Sequence, residues 1–205
     1  MSVATLDLSR IAPAFADPVR ESQAVFREVM ESVARPGRIT RFDRAPQAPT
    51  GLSKAAGAVA LTLFDFETLV WLDPALAESE AEAWLRFHCG CPLTTDAQSA
   101  AFAIVTDMAK APNLAAFNQG DAKYPDRSTT VILQVPSLEG GPTVTLSGPG
   151  IQTTTDIAPQ GLPQDFWTQI ETNQAQFQFG VDVLLVSGDQ LLALPRTTTA
   201  LIKGG

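Results

Sequence analysis

Histidine and tyrosine each occur once in the 205 residues, and cysteine only twice. One imidazole and two thiols leave almost nothing for a metal centre built within the chain, since zinc needs four ligands, or three plus water. Cys89 and Cys91 are separated by Gly90 alone. A disulfide across that spacing would be strained, so both are read as reduced thiols. Cations are scarce as well: 14 basic residues stand against 22 acidic ones, for a net charge of −8 and a pI of about 4.6. With no basic run longer than two residues, the chain lacks the positive footprint that nucleic-acid binding needs, and no nucleic-acid partner is expected. Long apolar runs are missing too. The strongest, Ala55 to Phe64, is bracketed by Lys54 and Asp65 and reaches half of the roughly 20 residues that span a bilayer, so it reads as a buried helix and no membrane association is expected. Met1 to Asp7 has no basic n-region, and Asp7 and Arg10 interrupt any apolar one, so no secretory signal is read and a cytoplasmic location is expected. The Gly-x-Ser-x-Gly of a nucleophile elbow does not occur. Ser147-Gly148-Pro149-Gly150 lacks the Lys-Ser/Thr that completes a phosphate loop and reads as a turn.

What is present is an ordinary globular composition, 45% hydrophobic and 18% charged, which excludes disorder and supplies a core. Asp17-Pro18 opens a helix in which Phe26, Val29, Met30 and Val33 recur at helical spacing before Pro36-Gly37 stops it. A short strand is expected over 38–42, a mostly buried helix over 52–66, a strand over 68–72 and a third helix over 75–87. A strand at 101–105 precedes a segment, 111–120, with room for one or two helical turns. Strands at 129–135 and 143–146 flank Glu139-Gly140-Gly141-Pro142 and read as a hairpin. A helix over 163–174 follows, and then a second hairpin, 181–186 with 190–194, around Ser187-Gly188-Asp189. Interleaved helices and strands predict an α/β fold in one domain over 1–205, with a mixed sheet flanked by helices on both faces.

Two segments offer chemistry. Arg86-Phe87-His88-Cys89-Gly90-Cys91 gathers the histidine and both thiols, but three ligands in four residues leave too little chain to wrap an ion, and no metal site is assigned. Arg86 and His88 there suit the negative end of a helix dipole. Pro195-Arg196-Thr197-Thr198-Thr199 lies past the last expected strand, where ligands gather in open α/β sheets, and a guanidinium with hydroxyls suits an anion. Arg86, His88, Arg196, Thr197 and Thr198 are therefore the anion-binding candidates. The other reading of Arg196 is a structural one, a tie to a carboxylate such as Asp182. No lysine advertises a Schiff-base pocket, and no catalytic residue is assigned.

Four ordered segments carry a resemblance: Phe26-Arg27-Glu28-Val29-Met30 with Ala34-Arg35-Pro36-Gly37; Leu85-Arg86-Phe87-His88 with Pro92-Leu93; Ile132 to Val135 with Leu146 to Ile151; and Phe179-Gly180-Val181-Asp182 leading to Leu194-Pro195-Arg196-Thr197-Thr198. From about Asp17 to Thr198 the chain resembles the H subunit family (PhnH) of the bacterial carbon–phosphorus lyase core complex. The resemblance implies a three-layer α/β fold, similar to pyridoxal-phosphate-dependent transferases but without their cofactor site. It implies a homodimer that also joins G, I and J subunits. In that complex the I subunit, supported by G and H, replaces the adenine of ATP with an alkylphosphonate to give ribose 1-phosphonate 5-triphosphate, and the J subunit later cuts the carbon–phosphorus bond. Two departures stand out. Thr199 occupies a place where the family often has histidine, and Cys89 and Cys91 replace small non-cysteine residues.

Adenine displacement needs a proton donor for the leaving base, stabilisation of a cationic sugar carbon, and cations around a triphosphate. A chain with net charge −8 and one histidine is poorly furnished for this, so an accessory subunit without cofactor is expected. The competing expectation is a free-standing α/β enzyme, or a small-anion binding module, with its site near Arg86, His88 and Arg196.

Overall fold

Residues 11–202 are described, from a computed structural model. Local chemistry starts each helix. Asp17 accepts from the Arg20 amide at 3.1 Å and Pro18 takes the first turn of α1 (Pro18–Ala34), where its missing N–H costs nothing. After β1 (Thr40–Arg41), the Ser53 hydroxyl caps α2 (Lys54–Leu63) through the Ala56 amide at 3.1 Å. Ala55 to Ala60 are all buried, because alanine and glycine let this helix sit deep against its neighbours. Ser79 likewise caps α3 (Glu80–His88), whereas α4 (Phe166–Ala175) follows Asp165 with no side-chain cap bond.

The strands form two sheets. In the larger, β2 (Val70–Leu72), β3 (Leu93–Thr94), β4 (Phe102–Val105), β5 (Thr130–Gln134) and β8 (Asp182–Ser187) run parallel, and β9 (Gln190–Leu194) and β1 close one side antiparallel. Its order is β1-β9-β8-β5-β4-β2-β3. The smaller is antiparallel: β10 (Thr199–Ile202), β6 (Val144–Ser147) and β7 (Thr155–Ile157), with β6 in the middle. Alternation along β5 builds the layers. Ile132 faces a core with Val25, Val59 and Trp84 from α1, α2 and α3, while Val131 and Leu133 face a second core with Leu146, Phe166 and Ile170. The molecule is thus α/β, with a mixed sheet and helices on both faces.

Three sequence expectations are corrected. Strands 129–135 and 143–146 are no hairpin: β4 and β8 already occupy both edges of β5, so β6 crosses to the small sheet. The connecting segment bonds to its own surroundings instead, Gly141 N–H to Ala158 at 2.8 Å and Gln160 N–H to Ser137 at 2.9 Å. The third helix breaks into a 3₁₀ turn, Pro74–Leu76, and α3, with Glu78 between them at φ 55°. Pro195–Thr198 does not follow the last strand, because β10 comes after it. The hairpin at Gly188, by contrast, is present as β8–β9. No helix among the described residues is long and apolar enough to cross a membrane.

Candidate functional site

β9 runs against the parallel strands, so the chain leaving it arrives at their amino ends, opposite to where open α/β sheets bind ligands. There Arg196 is tied down. Its Nη2 reaches Asp182 Oδ2 at 2.6 Å, its Nε reaches Oδ1 at 3.3 Å, and its backbone N–H donates to the same carboxylate at 2.8 Å. The Pro125 carbonyl accepts from Nη1 at 2.8 Å, and the Ser128 hydroxyl accepts from Nη2. The side chain is 14% exposed. Four of the roughly five guanidinium N–H donors are engaged within the chain, leaving little for an external anion. Thr198 is buried, with a hydroxyl that has no hydrogen-bond partner among the described residues, and its amide donates to the Pro195 carbonyl at 2.8 Å. Thr197 presents its carbonyl to Gly148, where a Cβ would come within 2.8 Å.

Arg86 and His88 lie elsewhere. His88 Nε2 sits 2.9 Å from the Ala12 carbonyl, which also accepts from Trp84 Nε1 at 2.8 Å. Trp84 and Phe87 meet the imidazole edge-on at 5.0 and 4.9 Å. The ring thus fastens the segment entering α1 onto α3. Arg86, in the last turn of α3, pairs with Glu82 at 2.8 Å one turn back. Both cysteines are free. The adjacent Cys91 sulfur and then burial push the Cys89 thiol up, away from thiolate chemistry. Among the described residues no three His, Cys, Asp or Glu side chains gather as a metal-binding group. The fold therefore does not join the Arg86–His88 segment to Arg196–Thr198.

The carboxyl ends of the parallel strands hold residues that sequence reasoning missed. β2 is followed in sequence by β3 on one side and then by β4 on the other, which puts the switch point of the sheet between β2 and β4. Asp73 stands there, directly after the last residue of β2. Its Oδ2 accepts from Thr106 N–H at 2.8 Å and Oγ1 at 2.6 Å, and its Oδ1 accepts from Ala75 N–H at 2.9 Å. Burial alone would raise this carboxyl, but the bonds from Thr106, Ala75 and the Asp107 amide outweigh it and hold it below the usual range. Beside it opens a groove of about 390 Å³ lined by Leu72, Glu82, Arg86, Leu93, Thr94 and Thr95. Arg86 is thus the one predicted residue that reaches the ligand-binding end of the sheet. A second groove, of about 630 Å³, lies between Gln47–Lys54 and the Gly188–Asp189 turn.

Three of the four segments that carried the resemblance, all but Leu85–Leu93, meet at a joint between the two sheets. Gly148 lies against Thr197 and Thr198, Gly150 against the Ala34 carbonyl and Pro36, and Gly37 against Leu146 and Thr155. Gly37 N–H also reaches the Ala193 carbonyl at 3.3 Å.

Fold and site define a class, a mixed-sheet α/β protein in which Arg196 and His88 fasten its own segments. Residues 13–200 match the family model described as bacterial phosphonate metabolism protein (PhnH), and the chain belongs to that family. It is 46% identical over 185 residues to the alpha-D-ribose 1-methylphosphonate 5-triphosphate synthase subunit PhnH of Rhizobium meliloti (strain 1021), covering 90% of this chain and 92% of that one. A second relative, 32% identical over 183 residues, is the putative C-P lyase subunit protein HtxG of Stutzerimonas stutzeri, with 89% of this chain and 87% of the relative covered.

Proposed function

We propose that this chain is an accessory subunit of an assembly that replaces the adenine of ATP by an alkylphosphonate, giving ribose 1-phosphonate 5-triphosphate in phosphonate catabolism. The observation that carries the reading is identity of 46% over nine-tenths of both chains with a relative named as a subunit of such a synthase. Ties of Arg196 and His88 to this chain's own groups support a role in assembly rather than in the chemistry. The partners are G, I and J subunits, the location is the cytoplasm, and the chain by itself forms a two-fold homodimer, the commonest closed assembly. Residues 1–205 act as one domain, with the layering of pyridoxal-phosphate-dependent transferases and no site for their cofactor. Lys54, Lys110 and Lys123 are all exposed, whereas a Schiff-base lysine needs a desolvated or electropositive pocket. Of the anion-site candidates, Arg86 alone is retained, in the groove it shares with Thr94 and Thr95, as a minor contact for a charged group of the assembly.

Co-expression with G, I and J subunits tests the reading. The chain should co-elute with them in fixed stoichiometry by light scattering, and alone it should have the mass of a dimer. Elution apart from all three would overturn the proposal.

A further inference from the structure

Six of the chain's fourteen basic residues lie between Arg20 and Arg44, a stretch with four acidic ones, while the remainder is strongly acidic. The fold gathers much of this stretch around one groove of about 500 Å³ between α1 and the edge strand β1. Ile39 lines it, together with Arg27, Glu28 and Glu31 of α1 and Arg38 and Arg41 of the strand segment. Glu31 is occupied by Arg35 at 3.0 Å and Arg38 at 3.5 Å. Arg41 makes only a loose contact with Asp189 at 3.7 Å, and Arg27 has no ion-pair partner among the described residues. Exposed pairs of this kind contribute little, so the arginines remain free to exchange partners.

The outer face of α1 adds a second feature. Val25 and Val29 point into the core, as a surface helix requires, yet Val19, Phe26 and Met30 form another apolar stripe, 80%, 46% and 51% exposed. Arg27 and Glu31 each follow a stripe residue by one position, so they stand between the stripe and the groove. Arginines on a short edge strand guard it against stray pairing. That role alone asks for no exposed phenylalanine and methionine beside them. Aromatic, methionine and arginine side chains together are the composition enriched at protein interfaces.

We infer that the outer face of α1 and the edge strand β1 dock another subunit, whose surface offers carboxylates to Arg27, Arg38 and Arg41 and an apolar side chain to Phe26 and Met30. The inference rests on the reading of the chain as a complex subunit. Charge complementarity selects the occupant. A second copy would bring the same net-positive stretch across a two-fold axis and set like charges against each other, whereas an acidic partner satisfies them and is steered toward them.

The test measures binding of the full chain to the other subunits of the assembly as salt is raised. One variant is Arg27→Glu/Arg38→Glu/Arg41→Glu, a second is Phe26→Ser/Met30→Ser, and the control is Lys110→Glu/Lys123→Glu. Both groove variants should lose about tenfold or more in affinity, the first should also lose the salt dependence, and the control should bind as the parent does. If charge reversal unfolds the chain by circular dichroism, the neutral Arg27→Gln/Arg38→Gln/Arg41→Gln variant decides by the same loss. Parental affinity in the groove variants overturns the docking surface and leaves the subunit reading standing. Intact binding with conversion of dimer to monomer also overturns it, since the face would then be a self-interface. Failure of the parent chain to bind any subunit overturns the subunit reading and the surface with it.

Discussion

Arg196 shows how much one side chain can hold together. It joins the segment between β9 and β10 to the first residue of β8 and to the Pro125–Ser128 loop. Removing it leaves a half-buried Asp182 without its cation and the loop without its tie, so Arg196→Ala should cost about 2–4 kcal/mol of stability, read from urea melts. Arg196→Lys should recover little, because one ammonium cannot serve both carboxylate oxygens, the carbonyl and the hydroxyl at once. Activity of the assembly should fall only in step with the folded fraction. A variant that melts like the parent while activity disappears would return Arg196 to the role of an anion ligand. Asp73 makes a second test. Its folded pKa lies below the unfolded value near 3.9, so its contribution is whole above about pH 4 and is lost as pH falls through the folded value. Asp73→Asn turns an amide toward donors at Thr106 or Ala75 and should cost about 1–3 kcal/mol at neutral pH. The gap to the parent should narrow in acid. Parallel pH curves for the two proteins would contradict the assignment.

Among elements, the joint between the sheets carries the strictest demands. Gly150 has φ 83°, and a Cβ there would fall on the Ala34 carbonyl oxygen, so backbone would have to move. Gly188, in the β8–β9 turn, has φ 55° with open space around it. Gly188→Ala should therefore cost about 1–2 kcal/mol, the conformational penalty alone, and Gly150→Ala clearly more. Equal melting temperatures would show that the joint yields. The same elements mark where sequence was legible. The start of α1 was readable because Asp17-Pro18 is a local signal, and the β8–β9 hairpin because its strands have no closer competitor on that side, whereas the helix expected over 52–66 begins only where Ser53 caps Lys54. The apparent β5–β6 hairpin misled because a good turn says nothing about whether the strand edges beside it are free. β3, with two residues, and β7, with three, offered too little periodicity to read. Arg196 and Asp182 could be named as partners, yet which end of the sheet they occupy depends on the antiparallel course of β9. Asp73 escaped notice because Asp-Pro reads as a strand stop, and only the pairing of β2 with β4 brings Thr106 to it.

The chain as a whole is acidic, with arginines gathered around α1 and β1 and a histidine bound to its own backbone. Such a body can support chemistry on an ATP-derived triphosphate without holding the reacting atoms. The most direct measurement is adenine release from ATP in the presence of methylphosphonate, made with this chain alone, with the G, I and J subunits alone, and with all four. The account predicts no release by the chain alone, full release by the four together, and a clear drop when this chain is left out. Phosphonate-dependent adenine release by the isolated chain, or undiminished release without it, would contradict the account.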